Sequence, residues 1–325
     1  MKRQIVRWIR LFVFALIAVA FVSACMDNRW DTAPTDGDTN CRAIEHVMGE
    51  SCVPNQPQRV VVLHDYLALD AVVALGIQPV GAVGIYQGSS PFPPWLNDKL
   101  DGVEVVGTAQ QPSLEKILQL DPDLIITLEG EGHDRLYDRL SQIAPTVVVP
   151  SERQIFPEVR FLGEVFDRAD RAQALLDRYE QRLQELREAM GDRIDTLEVS
   201  LIRFLPEGVR IEGNSYNVGK ILKDAGFRRP PAQQIQRPIT VSLESIEKID
   251  GDVIFANTLS SPKLQNEANR TLKRYQQHPL WSKLKAVRND RVYYVDPELW
   301  SGNGILWTYE IIDDLFDYLV EGNPS

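Results

Sequence analysis

The chain has 325 residues, 44% of them apolar and 25% charged, a balance that excludes a disordered or low-complexity protein and leaves room for two domains. Its formal net charge is −11, and without residues 1–25, which hold four basic residues and no acidic one, it becomes −15. A body this acidic offers no basic face to neutralise phosphates, so nucleic acid is excluded as a partner.

At the N-terminus Lys2, Arg3, Arg7 and Arg10 precede an apolar run over 11–22, and the segment closes on Val22-Ser-Ala-Cys25. A basic stretch, a short apolar core and small residues make an export signal over 1–25, too short for a comfortable membrane span. Its ending resembles a bacterial lipobox, which implies cleavage before Cys25 and lipid on that thiol. Residues 26–40 are polar and read as a flexible tether. Cys41 and Cys52 remain as an even pair in an exported chain, which favours a disulfide closing a small flap over 41–56. A metal pair with His46 is the alternative, and it lacks a fourth ligand.

The body opens with the apolar run 59–63, a strand of the buried type, followed by His64, Tyr66 and a helix over 67–75 that stops at Gly76. A second strand over 78–83 completes a parallel βαβ unit. The loop 84–102 is long and carries Tyr86, Phe92 and Trp95, more aromatic than a plain connector. A helix and strand over 113–127, the loop 129–133, another helix and a strand over 146–150 finish a first α/β lobe over 57–155.

The segment 156–194 is helical, with Leu175, Leu176, Tyr179, Leu183 and Leu186 on one face. An interruption near 168–171 leaves a second helix over 169–190, roughly 30 Å long at about 1.5 Å per residue. That length reads as a strut between domains. The second lobe, 195–325, holds a strand over 197–204, a turn at 213–217, a helix over 218–225, the loop 228–233, a strand over 291–295, the loop 296–303 and an amphipathic final helix. A repeat relates the lobes: Ser113-Leu-Glu-Lys-Ile-Leu-Gln-Leu-Asp-Pro-Asp-Leu-Ile-Ile-Thr127 recurs 129 residues on as Ser242-Leu-Glu-Ser-Ile-Glu-Lys-Ile-Asp-Gly-Asp-Val-Ile-Phe-Ala256, with seven of fifteen positions identical. Each copy predicts a Ser-capped helix, an Asp-x-Asp turn and a short strand. Two similar α/β lobes imply a cleft between them, where small molecules bind.

Arg59-Val-Val-Val-Leu63, Ala74-Leu-Gly-Ile-Gln-Pro-Val-Gly81, the Ser-Leu-Glu and Asp-x-Asp pairs of both repeats, Gln142-Ile-Ala-Pro-Thr146, Pro279-Leu-Trp281 and Asn289-Asp-Arg-Val-Tyr293 follow one another along the chain. In this order they resemble the substrate-binding proteins of bacterial ABC importers, of the class III periplasmic binding protein fold. Within that class the likeness is to the iron-siderophore and cobalamin branch, and it covers about 57–320. It implies an α/β fold of two lobes with central, mostly parallel sheets joined by a single long rigid helix. It implies an ABC permease and its ATPase as partners, a ferric siderophore as ligand with no cofactor, a monomer, and a periplasmic or extracytoplasmic location, lipid-anchored to the membrane through Cys25. The glutamate of each Ser-Leu-Glu, Glu115 and Glu244, falls where family members meet permease arginines. A helix-capping role for both is the local alternative.

A ferric siderophore is bulky, often anionic and partly aromatic, so its site should offer aromatic faces and positive charge. The candidates are His64, Tyr66, Tyr86, Trp95 and His133 on the first lobe, and Arg203, Arg210, Tyr216 and Trp300 on the second, residues at or beyond strand ends. A salt bridge for Arg203 and core packing for the aromatics are the alternatives. Direct zinc or manganese capture would use His64 and His133 but falls short of a full ligand set. Cobalamin or haem would suit the same architecture. No Gly-x-Ser-x-Gly elbow, phosphate-binding glycine loop or His-Glu-x-x-His occurs, so no enzyme is expected; a membrane-tethered sensor or adaptor is the rival of another kind. The expected function is capture of an iron(III)-siderophore complex in the cleft and its delivery to the permease, with modest closure because a stiff helix joins the lobes.

Overall fold

A computed structural model describes residues 40–64, 66–84, 90–130, 135–150, 155–215, 217–259 and 261–322. The expected signal with Cys25, the expected tether up to residue 39, and the candidates Tyr86, His133 and Tyr216 lie outside the described residues. No described helix is long and apolar enough to cross a membrane.

β1 (Cys41–His46) and β2 (Gly49–Pro54) form an antiparallel hairpin in which Cys41 and Cys52 are joined as a disulfide. Arg42 donates from Nη1 and Nη2 to the carbonyls of Glu164 and Val165, at 2.8 and 2.9 Å, at the end of the helix Ile155–Val165. The Ser51 hydroxyl donates to the Thr146 carbonyl at 2.8 Å. This hairpin, read from sequence as a flap, clamps a helix end to the edge of the first sheet.

The first sheet comprises β3 (Val60–Val62), β4 (Gly81–Gly84), β5 (Glu104–Thr108), β6 (Gln111–Pro112), β7 (Leu124–Leu128) and β8 (Thr146–Val149), in the order β6-β5-β4-β3-β7-β8. It is parallel except for the β5–β6 edge. The second comprises β9 (Val199–Leu205), β10 (Gly208–Ile211), β11 (Ile239–Val241), β12 (Val253–Asn257) and β13 (Val292–Tyr294), in the order β11-β10-β9-β12-β13. Here β9, β12 and β13 are parallel, and β10 runs antiparallel to both neighbours. The strands β5, β6, β10 and β11 and the helix Pro262–Gln276 are absent from the sequence reading, since the strands are short and carry no sustained alternation.

Alternation along each strand decides which core it serves. Val60, Val62, Leu124 and Ile126 share one core with Val199, Leu201, Val253 and Phe255 of the other sheet and with Leu176, Tyr179, Leu183 and Leu186 of the helix Ala169–Met190. Val61 and Ile125 face a second core with Ile117 and Leu140, while Ile202, Phe204, Ile254 and Ala256 face a third. One apolar core therefore passes without a break from the first sheet to the second.

The linking helix is tied to each lobe by similar means. It begins after Asp167, which takes a left-handed φ of 55°. Arg171 Nε and Arg168 Nη1 donate to the carbonyls of Ala74 (2.7 Å) and Leu75 (3.1 Å), at the C-terminus of the first-lobe helix Leu67–Ala74. Further along, Arg187 Nε donates to the Ala225 carbonyl at 3.2 Å and the Tyr179 hydroxyl to Asp224 at 2.9 Å, at the C-terminus of the second-lobe helix Asn217–Ala225. Cationic side chains on open helix carbonyls are favourable contacts.

The repeat also has a structural meaning. The Asp123 carboxylate accepts the backbone N–H groups of Gln58 (2.7 Å) and Arg59 (2.9 Å) just ahead of β3, and Asp252 accepts that of Glu198 (2.8 Å) just ahead of β9. In each lobe the last Asp of the turn thus fixes its own strand beside the parallel neighbour. The helices differ. Ser113 accepts from Lys116 N at 3.4 Å and Leu114–Gln119 is an α-helix, whereas Ser242 gives no such cap and Leu243–Ile249 is a 3₁₀ segment kinked at Ser245. Without the cap, the tighter bond from Ser245 N to the Ser242 carbonyl, 3.1 Å, organises the turn.

The final helix, Ile305–Phe316, was expected wholly within the second lobe, but its N-terminus is seated on the first. Asp70, fully buried in the helix Leu67–Ala74, accepts the backbone N–H groups of Leu306 (2.9 Å) and Trp307 (3.1 Å) and the indole N–H of Trp95 (2.8 Å). Gly304, at φ 137°, allows this approach, because a Cβ there would collide with the Asp70 carboxylate.

Candidate functional site

Residues beyond the strand ends of both sheets line one cavity of about 1090 Å³, at the upper end of the range for small-molecule sites. From the first lobe it takes His64 after β3, Tyr66 and Leu67 at the start of the next helix, and Leu128, Glu129 and Gly130 from the end of β7. The Tyr66 ring lies 6.0 Å from that of Trp95, at 28°.

Trp95 itself is not part of this lining. It is 7% exposed and its indole N–H is committed to Asp70, so this candidate is corrected to a support behind Tyr66. The sequence showed only an aromatic in a long loop; its buried acceptor lies 25 residues away.

The second-lobe wall is cationic. Arg203 on β9 stands directly opposite Arg210 on β10 across the Leu205–Gly208 turn. Arg203 Nε donates to Asn257 Oδ1 at 3.1 Å, its register partner at the end of β12. Arg210 donates from Nε and Nη2 to Glu212 Oε1 at 2.9 and 2.8 Å, and Arg203 Nε lies 3.5 Å from the same oxygen. Burial lowers the proton affinity of the Arg203 guanidinium; Glu212 raises it and Arg210 lowers it further.

Arg229 braces this wall from behind. It is 4% exposed and donates to the Glu212 carbonyl (3.1 Å), Asn214 Oδ1 (3.0 Å) and Gln233 Oε1 (2.8 Å). Gln233, fully buried, also accepts from Leu201 N and donates to Ser200 Oγ and the Lys248 carbonyl. The Arg-Pro-Pro-Ala-Gln loop of the sequence is therefore the polar core behind β9.

The first residues of the helix Asn217–Ala225 also line the cavity, so the positive end of its dipole faces the interior. A Cβ on Gly219 would collide with the Gly213 carbonyl, which is why the turn entering this helix needs glycine there. Trp300, Ser301 and Asn303 close another side. The Trp300 indole N–H donates to Asp314 at 2.6 Å and its ring packs 4.7 Å from that of Phe255, so it is held rigidly.

Of the sequence candidates, the structure thus gathers His64, Tyr66, Arg203, Arg210 and Trp300 around one cavity. Glu212, Arg237, Asn217 and Asn257 are lining residues the sequence reading did not single out. A signal for Glu212 was present: reading Pro206-Glu207 as a hairpin turn puts Arg203 opposite Arg210, with Glu212 two residues on along the same face. Among the described residues the lining carries three arginines, Arg203, Arg210 and Arg237, and two glutamates, Glu129 and Glu212. Among the described residues no cluster of three or more His, Cys, Asp or Glu could hold a bare metal ion.

Glu115 and Glu244 are exposed, each in the first turn of its repeat segment. Glu115 accepts from Gln119 Nε2 at 3.4 Å, and the hydrogen bond from the Ser242 hydroxyl holds Glu244 below the usual carboxylate range. Each stands two residues after its serine, one short of the reciprocal capping position, and Glu244 also accepts a backbone N–H at the start of its own turn.

Two α/β lobes whose strand ends face one cavity, joined through a single core and a long helix, define a two-lobed solute-binding protein. The chain belongs to the periplasmic binding protein family, whose sequence pattern matches residues 68–299. Such a protein carries a solute and is not an enzyme. It is similar to the probable siderophore-binding lipoprotein YfiY of Bacillus subtilis (strain 168), 32% identical over 322 residues, 96% of this chain and 97% of the other. It is similar to the achromobactin-binding periplasmic protein of Dickeya dadantii (strain 3937), 35% identical over 269 residues, 80% of this chain and 85% of the other. Among solved structures it is similar to Staphylococcus aureus SirA complexed with staphyloferrin B, with a TM-score of 0.72 at 29% identity, covering 86% of this chain and 98% of that one.

Proposed function

We propose that this protein captures an iron(III)-siderophore complex in the cavity between its lobes and delivers it to a membrane ABC permease. The observation that carries the reading is the cavity itself: roomy, aromatic on one wall, and lined on the other by Arg203, Arg210, Arg237 and a helix N-terminus. That combination suits a bulky anionic complex. The names of relatives, siderophore-binding lipoprotein and Fe(3+)-citrate-binding protein, point the same way. In this reading His64, Tyr66, Arg203, Arg210 and Trp300 contact the ligand, with Tyr86, His133 and Tyr216 as further candidates. Glu115 and Glu244 meet permease arginines, Cys25 carries the lipid anchor, and the protein acts as a monomer.

Tryptophan fluorescence of the full chain, titrated with ferric siderophores, their iron-free forms, haemin, cobalamin and zinc, tests the ligand. Saturable quenching by a ferric complex and not by its iron-free form is expected; a response to haemin, cobalamin or zinc alone would replace the siderophore. For docking, Glu115→Lys with Glu244→Lys should abolish uptake in cells and leave ferric-complex affinity unchanged, and retained uptake would remove their role.

A further inference from the structure

Arg203 and Arg210 are a register pair on adjacent antiparallel strands, an arrangement in which two like charges repel. Both remain partly buried, with side chains 14% and 31% exposed, so water screens them only in part. What reconciles them is one oxygen, Glu212 Oε1, which accepts two bonds from Arg210 and lies 3.5 Å from Arg203 Nε. Glu212 is not a loose surface acid. Its side chain is 17% exposed, and its carbonyl is held by the buried Arg229, itself fixed by Asn214 and Gln233.

The contacts have a direction. Arg203 is engaged through Nε, so its two terminal nitrogens, and Nη1 of Arg210, make no hydrogen bond among the described residues. Both arginines line the cavity, as does Glu212. We infer that Glu212 is a positioning residue that sets how much negative charge the cavity accepts, holding Arg203 and Arg210 side by side while cancelling one of their two charges. This rests on the reading of the cavity as the ferric-siderophore site. By formal charge the trio presents a single net positive charge, together with donors that are uncommitted among the described residues. A ferric complex of modest negative charge is matched, and one of larger negative charge meets a carboxylate at the centre of the wall, an unfavourable contact that discriminates between ligands.

Glu212→Gln keeps an acceptor oxygen for Arg210 and removes the charge; Glu212→Ala removes both; Glu212→Asp keeps the charge on a shorter arm. The full chain and each variant would be titrated by tryptophan fluorescence with a neutral ferric trihydroxamate, an anionic ferric citrate complex and a trianionic ferric tris-catecholate, at low and high salt, with melting temperatures to verify folding. Relative to wild type, Glu212→Gln should shift the affinity ratio toward the trianionic over the least charged probe by about tenfold, with a steeper salt dependence. Glu212→Asp should keep the wild-type order with weaker binding, and Glu212→Ala should weaken binding of every probe that wild type binds. An unchanged ratio and salt dependence in a folded Glu212→Gln protein that still binds would overturn the charge-setting role while leaving the siderophore reading intact. Failure of wild type to bind any ferric probe would overturn the siderophore reading and this inference with it.

Discussion

Arg229 shows how a residue outside the cavity shapes it. Burial lowers its guanidinium to about 10, and Glu212 offsets part of that shift. Replacing it with alanine would remove donors from Gln233 Oε1, Asn214 Oδ1 and the Glu212 carbonyl, so Arg229→Ala is expected to lose about 1–3 kcal/mol in urea unfolding. Arg229→Lys, a point charge in place of a planar fork, should recover only part of that loss. At this scale the sequence was legible where a side chain directly follows a recognisable strand, as with His64 and Tyr66 after β3. It was not legible where a role depends on a partner distant in sequence. Trp95 looks like any loop aromatic until Asp70 is placed beside its indole, and Arg237 has no local signature that separates it from a solvated arginine.

The repeated segments act as paired elements, and their last aspartates do equivalent work. Asp123 accepts two backbone N–H groups, while Asp252 accepts one and pairs with Lys285. Asp123→Ala and Asp252→Ala should therefore each reduce stability by about 1–3 kcal/mol in denaturant titrations, since a backbone donor loses its charged acceptor. An effect near zero for both would mean that the strand registers are set elsewhere. The helix Ala169–Met190 was readable to its end residues, because Leu176, Tyr179, Leu183 and Leu186 keep one apolar face across an otherwise charged segment. The β10–β11 edge was not, because Gly208–Ile211 and Ile239–Val241 are too short for a pattern and are defined by pairing alone. The second repeat helix was misread because the same Ser-Leu-Glu start can feed an α or a 3₁₀ turn, and capping by the serine separates the two.

On the scale of the whole molecule, Asp70 fastens the final helix to the first lobe. Burial raises its carboxyl to about 7, although the N–H groups of Leu306, Trp307 and Trp95 pull the other way. A carboxyl raised on folding is protonated more readily in the folded state, so this group's contribution to stability is greatest below about pH 4 and declines as pH rises toward about 7. Asp70→Asn should flatten that part of the stability profile measured by thermal melts between pH 4 and 8, while an unchanged slope would assign it to other groups. The common core and the linking helix, anchored to both lobes, favour small reorientation over wide closure. Small-angle scattering that showed a large compaction with ligand would contradict this.

The Asp70 contact also bears on the order of assembly. The backbone N–H that this carboxylate accepts from Leu306 lies 236 residues further along the chain. During synthesis the helix Leu67–Ala74 would emerge long before the segment that covers it. The core of Val61, Ile117, Ile125 and Leu140 lies wholly within the first lobe, but neither the shared core nor the buried acid can be completed by that lobe alone. The first lobe can therefore order its own core early, while the joining of the two lobes waits for residues 305–316 and finishes cooperatively once they arrive.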